Sequence, residues 1–158
     1  MAFVYNTDDH IESFAEFQDI LDADQRLFDT NEGLSDSSVY PKLIRATERI
    51  VAKIEASHWW KSVTPKYSQL NPDYIIARKN DFTELCVYVA LSEYIIPIIA
   101  DFGNPDNAEV VKMQHYSQKA ELLLNEIIEA SGWYDFDGDG VISNQEIKPG
   151  SMLPKRIR

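Results

Sequence analysis

A helix drawn through residues 82–101 is apolar nearly all round. Phe82, Leu85, Cys86, Tyr88, Val89, Leu91, Tyr94, Ile95, Ile96, Ile98 and Ile99 leave it no broad polar face. Such a helix is stable in water only when other elements cover most of its sides. It is therefore expected at the centre of a helical assembly. Pro97 should kink it or end it, because proline has no N–H to donate and crowds the preceding turn.

The rest of the chain offers the cover. Residues 10–28 carry Ile11, Phe14, Ala15, Phe17, Ile20, Leu21 and Leu27, a helical stripe that one helix or two short ones would present. Thr30 to Ser38 is expected as a loop. Pro41 then opens a helix to about Ser57, with Leu43, Ile44, Ala46, Ile50, Val51 and Ile54 on its apolar side. Trp59 and Trp60 follow. Adjacent side chains diverge, so one indole is expected in the core and the other against a loop or a neighbour. Lys61 to Leu70 reads as irregular. Asn71-Pro72 is a helix start, leading to a short helix as far as about Lys79 and a break at Asn80-Asp81. A last long helix spans Asn107 to Ala130. The fold class expected is all-α: a small helical bundle of four to five helices.

After that bundle, residues 135–146 read Asp-Phe-Asp-Gly-Asp-Gly-Val-Ile-Ser-Asn-Gln-Glu. This is the spacing of an EF-hand-like calcium loop, and the only place where β-structure is expected. Asp135, Asp137 and Asp139 stand at positions 1, 3 and 5. Gly140 is at position 6, where the chain turns sharply. Val141 offers a backbone carbonyl at position 7, Ser143 a water-mediated contact at position 9, and Glu146 two oxygens at position 12. Calcium takes six to eight oxygens at about 2.3–2.6 Å, which this set supplies. The plainer reading is an acidic surface turn without metal, but carboxylates so close repel one another unless a cation sits among them.

The surroundings of the loop are not those of a sensor. Pro149 and Gly150 stop any exit helix, and Gly132 reads as a stop for the helix before it. A second loop beginning at Asp29 fails, with Leu34 at its sixth position and Tyr40 at its twelfth. A single hand without an exit helix cannot open a groove as sensor hands do. The calcium is expected to be a structural clasp. Three units follow: the helical bundle over 1–134, the loop over 135–146, and an extended arm over 147–158.

Charge sharpens the polarity of the chain. The formal net charge is −11 over 158 residues, which argues against a surface that grips nucleic acid. Residues 1–34 hold nine acids and one base, whereas the arm holds Lys148, Lys155, Arg156 and Arg158 with no acid. An acidic face and a basic arm on one chain would suit an acidic neighbour for the arm. The single cysteine, Cys86, excludes an intrachain disulfide and reads as a core residue. No secretory signal pattern opens the sequence, and the apolar run 87–100 is interrupted by Ser92, Glu93 and Pro97, so no membrane span and a cytoplasmic origin are expected. His10, His58 and His115 have no ligand spacing, and neither a phosphate loop nor a nucleophile elbow occurs. No enzymatic activity is expected.

The order of features carries a resemblance. A helix with Ala46-Thr-Glu-Arg-Ile-Val-Ala-Lys-Ile follows the acidic amino-terminal segment. Arg78-x3-Phe82-x2-Leu85 then leads into Ala90-Leu-Ser-Glu-Tyr94-x2-Pro97, and Tyr116-x3-Ala120 lies in the last helix. Tyr134-Asp-Phe-Asp-Gly-Asp-Gly and a basic tail close the chain. Over roughly residues 8–158 this resembles the head–tail connector, or adaptor, proteins of tailed bacteriophages. The resemblance implies a structural virion protein, assembled in the host cytoplasm and located in the neck. It implies a ring, usually of 12 copies, that joins the portal protein to a tail or stopper protein while DNA passes through without specific binding. The segment His58 to Leu70 departs from the plainest members, and many members lack a complete calcium loop. The alternative is a single-EF-hand calcium-binding regulatory or scaffold protein, which would stay monomeric or dimeric. A bacterial toxin-system or immunity protein is a third reading, allowed by acidity alone.

Overall fold

The computed structural model describes residues 3–31, 33–64, 69–100, 103–104 and 106–142. Those residues are mostly helical. A small hairpin, β1 (Val4–Tyr5) and β2 (Ile11–Ser13), precedes α1 (Phe17–Ala23), α2 (Gln25–Thr30), α3 (Asp36–Ala56) and α4 (His58–Val63). A single 3₁₀ turn, Pro72–Tyr74, leads to α5 (Lys79–Val89). A π-helical segment, Ala90–Ile95, and the short α6 (Ile96–Ile99) continue the same rod, and α7 (Ala108–Ala130) follows.

The rod from Lys79 to Ile99 is the centre, as its composition requires. It packs against α3 on one side and α7 on another, and α1 touches its first half. Phe82, Leu85, Cys86, Val89, Leu91, Ile95 and Ile96 are all buried. By length and composition this rod, longer than the 87–100 run, could cross a bilayer; 61% of its most apolar window is instead inside the protein. Pro97 does not break it. Proline in a regular helix would crowd the carbonyl of Glu93, four residues back. The wider π turn just before it, closed by a bond from the Ile96 N–H to the Leu91 carbonyl, absorbs that conflict.

Several expectations need correction. Residues 11–13 form a strand, not the start of a helix, so β-structure occurs at the amino terminus as well as near the loop. The Asn6 side chain makes the turn, accepting from the N–H groups of Asp8 (2.9 Å) and His10 (3.0 Å). The expected loop 30–38 is shorter: α3 starts at Asp36, a full turn before Pro41, because the Ser38 hydroxyl caps the Ser35 N–H at 2.9 Å. Of the segment Lys61 to Leu70, expected to be irregular, residues 61–63 instead complete α4 (His58–Val63), and 65–68 lie outside the described residues. The expected short helix 72–79 is only the 3₁₀ turn, and Asn80-Asp81 is no break. Arg78, in a left-handed conformation (φ 56°), separates the turn from α5.

The amino-terminal segment is pinned into the core through Phe14. Its N–H donates to Thr47 Oγ1 of α3 (3.0 Å) and its carbonyl accepts from Thr83 Oγ1 of α5 (2.6 Å). All three residues are buried. Two threonines thus satisfy a strand end that would otherwise leave buried backbone groups unpaired.

Cys86 lies fully buried beside Thr47, and burial pushes its thiol up to about 11. A thiol so protonated and enclosed is inert. In native protein at neutral pH, an aromatic disulfide reagent should release no chromophore within minutes, and should release one equivalent after urea unfolding. Rapid native labelling would contradict this packing.

Candidate metal centre

The loop begins where α7 ends. Ser131, left-handed at φ 51°, closes the helix with its N–H on the Ile127 carbonyl (3.3 Å), one residue before the glycine expected to do so. The Trp133 indole N–H donates to the same carbonyl at 2.8 Å. The chain then runs antiparallel to residues 74–77. Ile76 N–H reaches the Trp133 carbonyl at 3.1 Å, Ile75 and Tyr134 form a β-bridge, and Asp135 N–H reaches the Tyr74 carbonyl at 2.9 Å. The Asn71 N–H adds a bond to the Tyr134 hydroxyl (3.1 Å).

Aromatic packing fixes the same junction. Trp133 is wholly buried, with ring centroids 4.9 Å from Phe82 and 5.5 Å from Trp59. Trp60 meets Tyr134 at 5.2 Å and Phe136 at 5.9 Å; Tyr134 meets Phe136 at 4.9 Å. Both indoles of the pair in α4 are therefore interior, not one of them. They diverge, as adjacent side chains must, but the loop root is broad enough to cover both. Burial raises the Tyr134 phenol above its ordinary range.

Beyond this root the carboxylates gather through nested turns. Asp135, only 2% exposed, accepts from the N–H of Gly138 (3.0 Å) and of Gly140 (2.6 Å). Asp137 accepts from Asp139 N–H (3.1 Å), and Asp139 from Val141 N–H (2.8 Å). Gly140 takes φ 82° and Gly138 φ 75°, which side-chain-bearing residues resist. The result is that one carboxylate oxygen from each of Asp135, Asp137 and Asp139 lies within 4.8 Å of the others. Oxygens on opposite sides of one calcium ion stand about 5 Å apart, so the three fit a single cation of that size. Among the described residues no other group of metal-ligating side chains converges this way.

Electrostatics agree with the crowding. Burial tends to raise the Asp135 pKa, but the N–H groups of Gly140, Gly138 and Asp139 and a hydrogen bond shared with Asp137 outweigh it, and the net direction is down. For Asp137 the Asp139 N–H pulls downward. The neighbouring carboxyl groups of Asp135 and Asp139, with partial desolvation, overcome it and push the group up to about 6. One carboxylate held ionised beside another driven toward protonation is what like charges in close quarters produce. A cation would relieve it.

Of the expected ligands, Asp135, Asp137 and Asp139 come together. Val141 is described, with its side chain 64% exposed and its N–H on Asp139. Ser143 and Glu146, and the arm cations Lys148, Lys155, Arg156 and Arg158, lie outside the described residues. Sequence reasoning missed the support: residues 71–77, and Tyr74 in particular, whose carbonyl receives Asp135. The run Trp133-Tyr134 with Phe136, matched by Trp59-Trp60, was the available signal. Comparison of the chain with protein-family models, curated proteins and solved structures found no match in any of the three.

Proposed function

We propose that this chain is a structural virion protein, a neck connector whose ring joins the portal of a phage capsid to the tail. In this reading a small helical bundle carries an EF-hand-like loop that holds Ca²⁺, and an extended carboxy-terminal arm reaches the portal protein. The observation that carries the reading is the anchored root of the loop. Three backbone hydrogen bonds and a buried aromatic cluster tie residues 133–136 to the helical body. Calcium at such a root stiffens a junction; it has little to open. A stiff junction aims whatever chain follows it, which suits an arm that must meet a partner at a set place. The predominance of acid over base suits a ring through which DNA slides without being held.

Electron-microscopic images of the purified chain mixed with a portal protein from the same genome test this. Rings seated on one end of the portal are the expected result. A chain that stays monomeric with portal, yet changes its surface with calcium, would overturn it in favour of a regulatory calcium-binding module.

Gly140 gives a narrower test of the clasp. Among the described residues, its two chain neighbours aside, no atom lies within 4 Å of a Cβ placed there, so Gly140→Ala meets no clash with them and the left-handed backbone is what resists. That strain is about 1–2 kcal/mol. Calcium affinity measured by titration should fall about five- to thirtyfold, while the far-ultraviolet circular dichroism stays unchanged.

A further inference from the structure

The two flanks of α3 carry opposite charge. At about 100° per residue, Lys42, Arg45, Arg49 and Lys53 fall within about 80° of arc on one side of the helix. Arg45 and Arg49 are exposed, and Lys42 and Lys53 are half-buried. Among the described residues a single carboxylate answers them: Glu93 of the π segment, 3.8 Å from Arg49 and 3.5 Å from Lys53. Arg45 lies over the Tyr94 ring, 5.8 Å from its centroid. Four cations against one acid make a basic strip on a chain whose net charge is −11.

The other flank is acidic. Tyr40 lies about 180° around the helix from Arg49. Its hydroxyl donates to Glu12 of the amino-terminal hairpin at 2.5 Å. Burial, then Glu12 and Asp36, push the Tyr40 phenol up to about 12, so both carboxylates face it. The same hairpin turns through the exposed Asp8 and Asp9. Glu48 and Glu55 continue the acidic side along α3 itself, and Leu43, Ala46, Ile50 and Ile54 occupy the buried side between.

Complementary patches on opposite flanks of one molecule cannot meet within it. They can meet between copies, and repeating such a contact gives a ring or a filament. We propose that copies of this chain join head to tail through α3, the basic strip of one copy seating on the acidic hairpin flank of the next. The inference rests on the connector reading only in requiring a second copy of the chain. Duplex DNA is the other polyanion that four spaced cations could meet, but the acidic flank and the overall charge disfavour it.

Charge exchange tests the contact, read by sedimentation velocity at low and high salt. Wild type should self-associate at low salt and dissociate as salt rises. The triple variant Lys42→Glu/Arg45→Glu/Arg49→Glu and the triple variant Asp8→Lys/Asp9→Lys/Asp36→Lys should each associate at least about tenfold more weakly alone. Mixed together they should recover the wild-type assembly, since each now carries what the other lacks. Arg45→Gln/Arg49→Gln provides a milder variant, and thermal melting checks that every variant is folded. Wild type that remains monomeric, variants that associate like wild type, or a mixture that fails to recover would each overturn the contact. So would DNA binding by wild type that the first triple variant loses without any effect on self-association. None of these outcomes decides the connector reading, which stands on the portal mixture.

Discussion

Trp133→Ala is expected to destabilise the protein by about 3–5 kcal/mol, the usual cost of deleting a fully buried indole. For a domain of this size that lowers the melting temperature by about 6–20 °C. The reason is the position of the ring. It has no exposed surface, packs on Phe82 of the central rod and on Trp59 of α4, and donates its N–H to the Ile127 carbonyl in the last turn of α7. Its removal separates three elements at once and leaves the loop root without its filling. Trp133→Phe keeps most of the volume but loses the N–H bond to Ile127, so about 1 kcal/mol is expected. The Ile127 carbonyl still receives the Ser131 N–H, which limits the loss. Urea unfolding of both variants measures this. An alanine variant within 1 kcal/mol of wild type would show that the aromatic cluster is not what joins α7 to the rod.

Calcium should produce the second large effect. A ligand that binds only the folded state stabilises it by about 2.7 kcal/mol at a hundredfold excess over its dissociation constant. The melting temperature should rise by about 5–10 °C on going from chelator to saturating calcium. Asp135→Ala should abolish the rise, because that carboxylate organises the turn as well as offering an oxygen. It accepts the N–H groups of Gly138 and Gly140, which shape the chain so that Asp137 and Asp139 come alongside. An equal rise in wild type and variant would place the ion elsewhere. No rise in wild type would leave the loop as an acidic turn.

Local rules were legible where local chemistry decides. The last long helix, expected from Asn107 to Ala130, runs from Ala108 to Ala130, and the Asn107 side chain caps it, accepting from the N–H groups of Glu109 (3.1 Å) and Val110 (3.3 Å). The all-round apolar character of residues 82–101 located the centre of the fold, since burial is the only way to accommodate it. The carboxylate spacing at 135, 137 and 139 named the candidate site, because in a loop of this kind the ligands and the turn are the same residues. What stayed hidden depends on distant partners. Ile11 and Phe14 continue the helical period of the residues after them, yet they lie outside α1, where Thr47 and Thr83 take the Phe14 backbone groups from 33 and 69 residues away. Trp59 and Trp60 could both be interior only because Trp133, Tyr134 and Phe136 return to meet them. The π turn before Pro97 is a compromise between a proline and the packing of a rod, and no residue type signals it.

The central claim is that the loop clasps a fixed junction and does not switch the body of the protein. Hydrogen exchange of the native chain, followed by mass spectrometry with calcium and with chelator, measures this most directly. The account predicts slower exchange with calcium in peptides covering residues 70–77 and 131–142, where Ile76, Ala77 and Asp135 bind across the junction, and no change in α3 or α5. Exchange unaltered everywhere, or altered throughout α3 and α5, would contradict it.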